Sequence, residues 1–242
     1  MITYANGPNL TDRLWLQNHP HKLVIQNCFV HNNLGDGLWA DVASINMHYL
    51  NNILLNNAGA GISHEISYDS EIAGNWASGN GFGFQVWLWS GQIQLQNSRN
   101  IVVRNNTVHV GMGYQNGICI IQQNRSCVGC GMPPPYGVAP QAAVNNTVVD
   151  NVVVFDDCHG TVGEIADHCE GELAASGNVF DRNTYVFFGS EATSGAASHF
   201  SWETSNASAK GGGQGVSLSF GRFQAEANQE AHGSAIFGQG KC

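Results

Sequence analysis

At 242 residues the chain can bury one substantial core, and nothing in its length calls for two domains. With 30 Gly, frequent Asn and only 11% charged residues it is poor helical material, while 43% hydrophobic residues and six Trp exclude disorder. The net charge of −9, without a basic run, excludes a nucleic-acid backbone as partner, and no apolar stretch reaches the roughly 18 residues of a membrane span.

Residues 1–21 read as a lead-in or the remnant of an upstream coil. Met1 to Leu10 holds neither a charged nor an apolar leader region, so no signal peptide is expected there. From residue 22 to 185 the chain reads as a repeat. Asn27, Asn51 and Asn75 recur every 24 residues, and Asn32, Asn56 and Asn80 follow each by five. Asp36-Gly37-Leu38-Trp39-Ala40-Asp41 aligns with Ala60-Gly61-Ile62-Ser63-His64-Glu65. Further units open at Asn106, Asn146 and Asn178, with the five-residue pair recurring at Asn146/Asn151 and Asn178/Asn183. Six coils are thus expected. The longer spacings are assigned to insertions at Phe82–Ser90, Ser126–Gln141 and His159–Glu170.

Residues 186–242 leave the repeat and are expected to cap the last coil. Val216 to Phe220 reads as a strand after a glycine run, and Phe223 to Glu230 has helix-compatible composition. Seven Cys occur, and Cys127-Val128-Gly129-Cys130 has zinc-knuckle spacing. Disulfides or free thiols are favoured over zinc, with Cys28 and Cys119 buried as small apolar residues. No cofactor is expected, with calcium left open.

Short apolar runs such as Leu23-Val24-Ile25 and Ile101-Val102-Val103, bounded by Asn, are too brief for helices. Stacked in parallel at about 4.8 Å, they would bring equivalent Asn residues into ladders that satisfy buried turn backbone. The expected fold class is all-β, a parallel β-helix solenoid. On Gly37–Asp41, Gly61–Tyr68 and Ile101–Val108 the chain resembles the right-handed parallel β-helix superfamily, the fold of pectate lyases and polygalacturonases. Its repeat proteins are often secreted bacterial proteins linked to carbohydrate metabolism. The calcium cluster of pectate lyases and the aspartate motifs of polygalacturonases are not recognisable here, so neither activity carries over.

Strand parity points Leu38, Ala40, Ile62 and His64 inward and sets Trp39, Asp41, Ser63 and Glu65 outward. Gln94 and Gln96 continue the outward rows beside Ile93, and Arg99 aligns with Tyr68. Asp41 and Glu65 on adjacent rungs would make the carboxylate pair that glycoside hydrolysis requires. Trp39, Trp87 and Trp89 would offer sugar platforms, with Gln94, Gln96 and Arg99 as further substrate contacts. The resulting expectation is a secreted or periplasmic, monomeric glycoside hydrolase acting on a polysaccharide or oligosaccharide. A non-catalytic carbohydrate-binding solenoid using the same face is the first alternative. The second is a lyase in which a bulge turns His64 outward to join Glu65 and Tyr68.

Overall fold

The computed structural model describes residues 2–3, 22–41, 44–83, 89–111, 115–123, 142–156, 159–167, 176–188, 198–202 and 216–238. Strand β1 (Ile2–Thr3) precedes a repeated triplet of short strands. The triplets are β2 (Leu23–Gln26), β3 (Phe29–His31) and β4 (Leu38–Asp41), then β5 (Met47–Leu50), β6 (Ile53–Leu55) and β7 (Ile62–Glu65). Next come β8 (Glu71–Ala73), β9 (Trp76–Ser78) and β10 (Gly91–Gln96), then β11 (Val102–Arg104), β12 (Thr107–Val110) and β13 (Asn116–Gln123). The last two are β14 (Thr147–Val149), β15 (Val152–Phe155) and β16 (Val162–Asp167), then β17 (Val179–Asp181), β18 (Thr184–Phe188) and β19 (Phe200–Trp202).

Each strand pairs in parallel with its counterpart in the next triplet, which builds three sheets around one core. Sheet A runs β1-β4-β7-β10-β13-β16-β19, sheet B holds β2 to β17, and sheet C holds β3 to β18. This is a parallel β-helix. After β19 the pattern changes: β20 (Val216–Leu218) lies antiparallel on β19, helix α1 (Phe220–Ala227) follows, and β21 (Ser234–Gly238) pairs with β18. The strand expected over 216–220 ends at Leu218, and the helix expected from Phe223 begins at Phe220. Phe223 of α1 is fully buried and stacks on Phe200 with ring centres 4.7 Å apart. Inside the coil, Ile62, Ile93 and Ile118 form one aligned row and Tyr49, Ile72, Val103, Val148 and Phe180 another.

Asparagine turns the corners, but in two distinct positions. At each corner between sheets B and C, one residue adopts positive φ: Asn27, Asn51, Gly74, Asn105, Asp150 and Arg182. The residue after it faces inward, and Asn52, Asn75, Asn106, Asn151 and Asn183 stack there as a ladder. Asn75 shows the bonding in full. Its Oδ1 accepts the backbone N–H and Nδ2 of Asn52 at 2.9 and 3.0 Å, while its own Nδ2 donates to Asn106 Oδ1 and Tyr49 O at 2.9 Å. A second ladder, Asn33–Asn57–Asn80, ends on Gln92 Oε1, and a third, Asn146–Asn178, ends on Glu164 Oε2.

The uniform 24-residue phase is therefore corrected. Asn27, Asn32, Asn51 and Asn56 are positive-φ residues, whereas Asn75 and Asn80 are inward ladder residues, so the true step from Asn52 to Asn75 is 23. Asn106 stacks on Asn151, 45 residues away, and not on Asn146, which belongs to the ladder between sheets A and B. The insertion expected over His159–Glu170 is also corrected, because Val162–Asp167 is strand β16 in register with β13. Ser126–Gln141 lies outside the described residues. Cys119 is buried as expected, but Cys28 is exposed; both are free thiols, and the other five Cys lie outside the described residues. No described helix is long and apolar enough to cross a membrane.

Candidate functional site

The outer face of sheet A holds Trp39, Glu65, Gln94 and Gln96 of the expected site residues. Its register sets Trp39 beside Ser63, Gln94 and Cys119 in one outward row. The neighbouring row runs Glu65, Gln96, Ile121 and Ile165. Strand parity read from the sequence gives this arrangement, and the inward partners Ala40, His64 and Leu95 are all fully buried. Along the solenoid the outward surface is thus polar on the early rungs and apolar beyond β10. Trp89 packs against the apolar patch of Cys119, Ile121 and Ile165, and its carbonyl accepts Asn116 Nδ2 at 2.7 Å.

A groove of about 360 Å³ lies at this boundary, lined among the described residues by Asp36, Trp39, Ala60, Ser63, Glu65, Trp89, Ser90, Gln94 and Gln96. Its polar floor is not solvated in the ordinary way. Glu65 keeps 8% of its surface exposed, Gln94 5% and Gln96 2%, which argues against a merely decorative outer face. The polar groups are held in place. Trp39 Nε1 donates to Glu65 Oε2 at 3.2 Å, Ser90 N–H to Gln94 Oε1 at 2.9 Å, and Gln96 Nε2 to Gln123 Oε1 at 2.7 Å.

Asp36 completes the groove and was not singled out from the sequence as a site residue. In Asp36-Gly37 it reads as a turn residue, and only the corner geometry brings it to Ser63. Its Oδ1 accepts the Ala60 N–H at 2.7 Å, in a space that any side chain on Gly59 would occupy. Burial raises the Asp36 carboxyl above the usual range, against the opposing pull of the Ala60 N–H and the Ser63 hydroxyl.

Other expected site residues lie elsewhere. Asp41 ends β4 outside the groove lining, close enough to act electrostatically on Tyr68, so the carboxylates among the described groove lining are Asp36 and Glu65. Tyr68 is fully buried in a small cluster with Ile66 and Ile45, and burial raises its phenol above its ordinary range. It pairs in register with Arg99, as the alignment expects, but neither lines the groove. His64 is fully buried on the inner face, its Nδ1 3.1 Å from Tyr49 Oη; burial lowers it to about 3, which keeps it neutral. No bulge turns it outward, since His64 stays in register with Ala40 and Leu95. Trp87 lies outside the described residues. No three described His, Cys, Asp or Glu side chains gather as a metal site.

Residues 14–99 match the family model described as a right handed beta helix region. That span contains the first three strand triplets and all nine described lining residues of the groove. The match is to the first part of the chain, and the later triplets continue the same parallel β-helix fold. No curated protein and no solved structure matches it. Within the β-helix, the groove sits where the polar outer rungs meet the apolar ones, beside the connection between β9 and β10.

Proposed function

We propose that this β-helix is an extracellular or periplasmic protein acting on polysaccharide, and that the groove on sheet A hydrolyses glycosidic bonds. The observation that carries the reading is the convergence of two carboxylates, two indoles and two fixed amides in one groove. Indole faces stack on the C–H faces of sugars, while amides and carboxylates bond the hydroxyls. Asp36, whose carboxyl is raised by burial, suits the general acid that protonates the leaving oxygen. Glu65 is the second carboxylate that a glycosidase requires at the anomeric carbon.

The lyase reading loses support because His64 is neutral inside the core and Tyr68 is buried away from the groove. Reducing-end release from a panel of polysaccharides tests the proposal. The wild type should release ends, and Asp36→Asn and Glu65→Gln should lose about 10²-fold or more of that rate while still binding. Binding without turnover in the wild type would leave a carbohydrate-binding solenoid. Unsaturated products absorbing in the ultraviolet would overturn hydrolysis in favour of elimination.

A further inference from the structure

We infer that the groove on sheet A is built to take a protonated amine, so that its glycan is one bearing free amino groups. The inference rests on the reading of this groove as a glycan site and names the class of sugar. Asp36 and Glu65 are two carboxylates on neighbouring turns of the solenoid, sharing one groove with the indoles of Trp39 and Trp89. Carboxylates beside aromatic faces are the physical signature of ammonium recognition. The ring quadrupole attracts the cation, and the acids supply charge and acceptors.

The remaining polar lining suits a donor ligand as well. Gln94 and Gln96 carry amide oxygens and Ser63 and Ser90 hydroxyl oxygens, and none of the nine described lining residues is basic. The net charge of −9 draws cationic polymers toward the surface and repels polyuronates. Glu65 is only 8% exposed, so a cation reaching it is screened less than at an open surface.

Calorimetric titration of the full chain with β-1,4-linked oligomers of equal length tests this. The probes are glucosamine, N-acetylglucosamine, glucose and a uronate. The glucosamine oligomer should bind about tenfold or more tighter than the glucose and acetylated ones at low salt, with the margin shrinking as salt rises. Glu65→Gln and Asp36→Asn, which keep an oxygen acceptor for Trp39 and Ala60, should erase most of that margin and leave the residual stacking. Equal binding of glucose and glucosamine oligomers would overturn the amine inference while leaving the glycan reading intact. Preference for the uronate would overturn it too. A lysine-rich peptide binding as tightly as the glucosamine oligomer would keep the cation and overturn the sugar. Failure of every oligomer to bind would remove the glycan reading itself.

Discussion

Adjacent asparagines in this chain do different work. Asn51 has φ of 55° and turns the corner; Asn52 faces inward and is fully buried. Left-handed backbone costs an ordinary L-residue about 1–2 kcal/mol, which Gly avoids and Asn tolerates. An inward Asn side chain such as that of Asn75 instead serves four hydrogen bonds with buried backbone or amide partners. Asn75→Ala should therefore cost about 3–5 kcal/mol, since it orphans the Asn52 donors and the Tyr49 carbonyl. Asn51→Ala should cost only about 1 kcal/mol, and Asn51→Gly close to nothing. Urea denaturation of the three variants reads the difference, and equal losses for Asn75→Ala and Asn51→Ala would contradict the assignment of ladder and corner. The five-residue spacing is legible in sequence because a corner residue, an inward residue and a three-residue strand add up the same way at Asn27–Asn32 and Asn51–Asn56. The phase is not, because Asn occupies both positions and the spacing reads alike from either. Asp36 was illegible for a related reason: a turn-forming Asp-Gly hides a carboxylate that a corner lifts into a groove.

Strand order, parity and register follow from short runs such as Ile62–Glu65, where alternation leaves no second solution. The connections are less legible. Residues 159–170 look like insertion because Gly and charged residues interrupt the apolar pattern, yet Val162 and Ile165 carry strand β16, with Glu164 pointing inward. That inward Glu, and Glu230 after α1, mark where ladders end. Every ladder Asn donates toward the next turn, so the last one needs an acceptor, which is an amide oxygen at Gln92 and a carboxylate at Glu164 and Glu230. Glu230 takes the Asn183 N–H at 3.1 Å, its Nδ2 at 2.6 Å and Tyr185 Oη at 2.8 Å, although burial raises its own carboxyl. Glu230→Gln supplies one oxygen for these three donors and sets an amide N–H₂ among them. It should cost about 2–3 kcal/mol, confined to the last turns because solenoid stability is nearest-neighbour. Amide hydrogen exchange should speed up in β17 and β18 and stay unchanged in β5 to β9. Uniform acceleration, or none, would contradict the role of Glu230.

Over the whole molecule, the solenoid converts a repeat into a surface. Stacking rungs about 4.8 Å apart lines up Trp39, Ser63 and Gln94, with Glu65 and Gln96 beside them, before any side chain is asked to do chemistry. Trp89, from the longer connection between β9 and β10, then bridges the polar rungs to the apolar patch at Cys119, Ile121 and Ile165. The groove is thus lined mostly by the regular rungs, with Trp89 and Ser90 from the insertion, and the strand residues are the part that periodicity reveals. Its acidic character agrees with the molecule's net charge of −9. The most direct test of this account is a crystal structure of Glu65→Gln soaked with the tightest-binding oligosaccharide of the panel. A sugar ring held between Trp39 and Trp89, with polar groups within hydrogen-bond reach of Asp36 and Gln94, is the result predicted. A sugar seated on sheet B or sheet C, with the groove on sheet A unfilled, would contradict it.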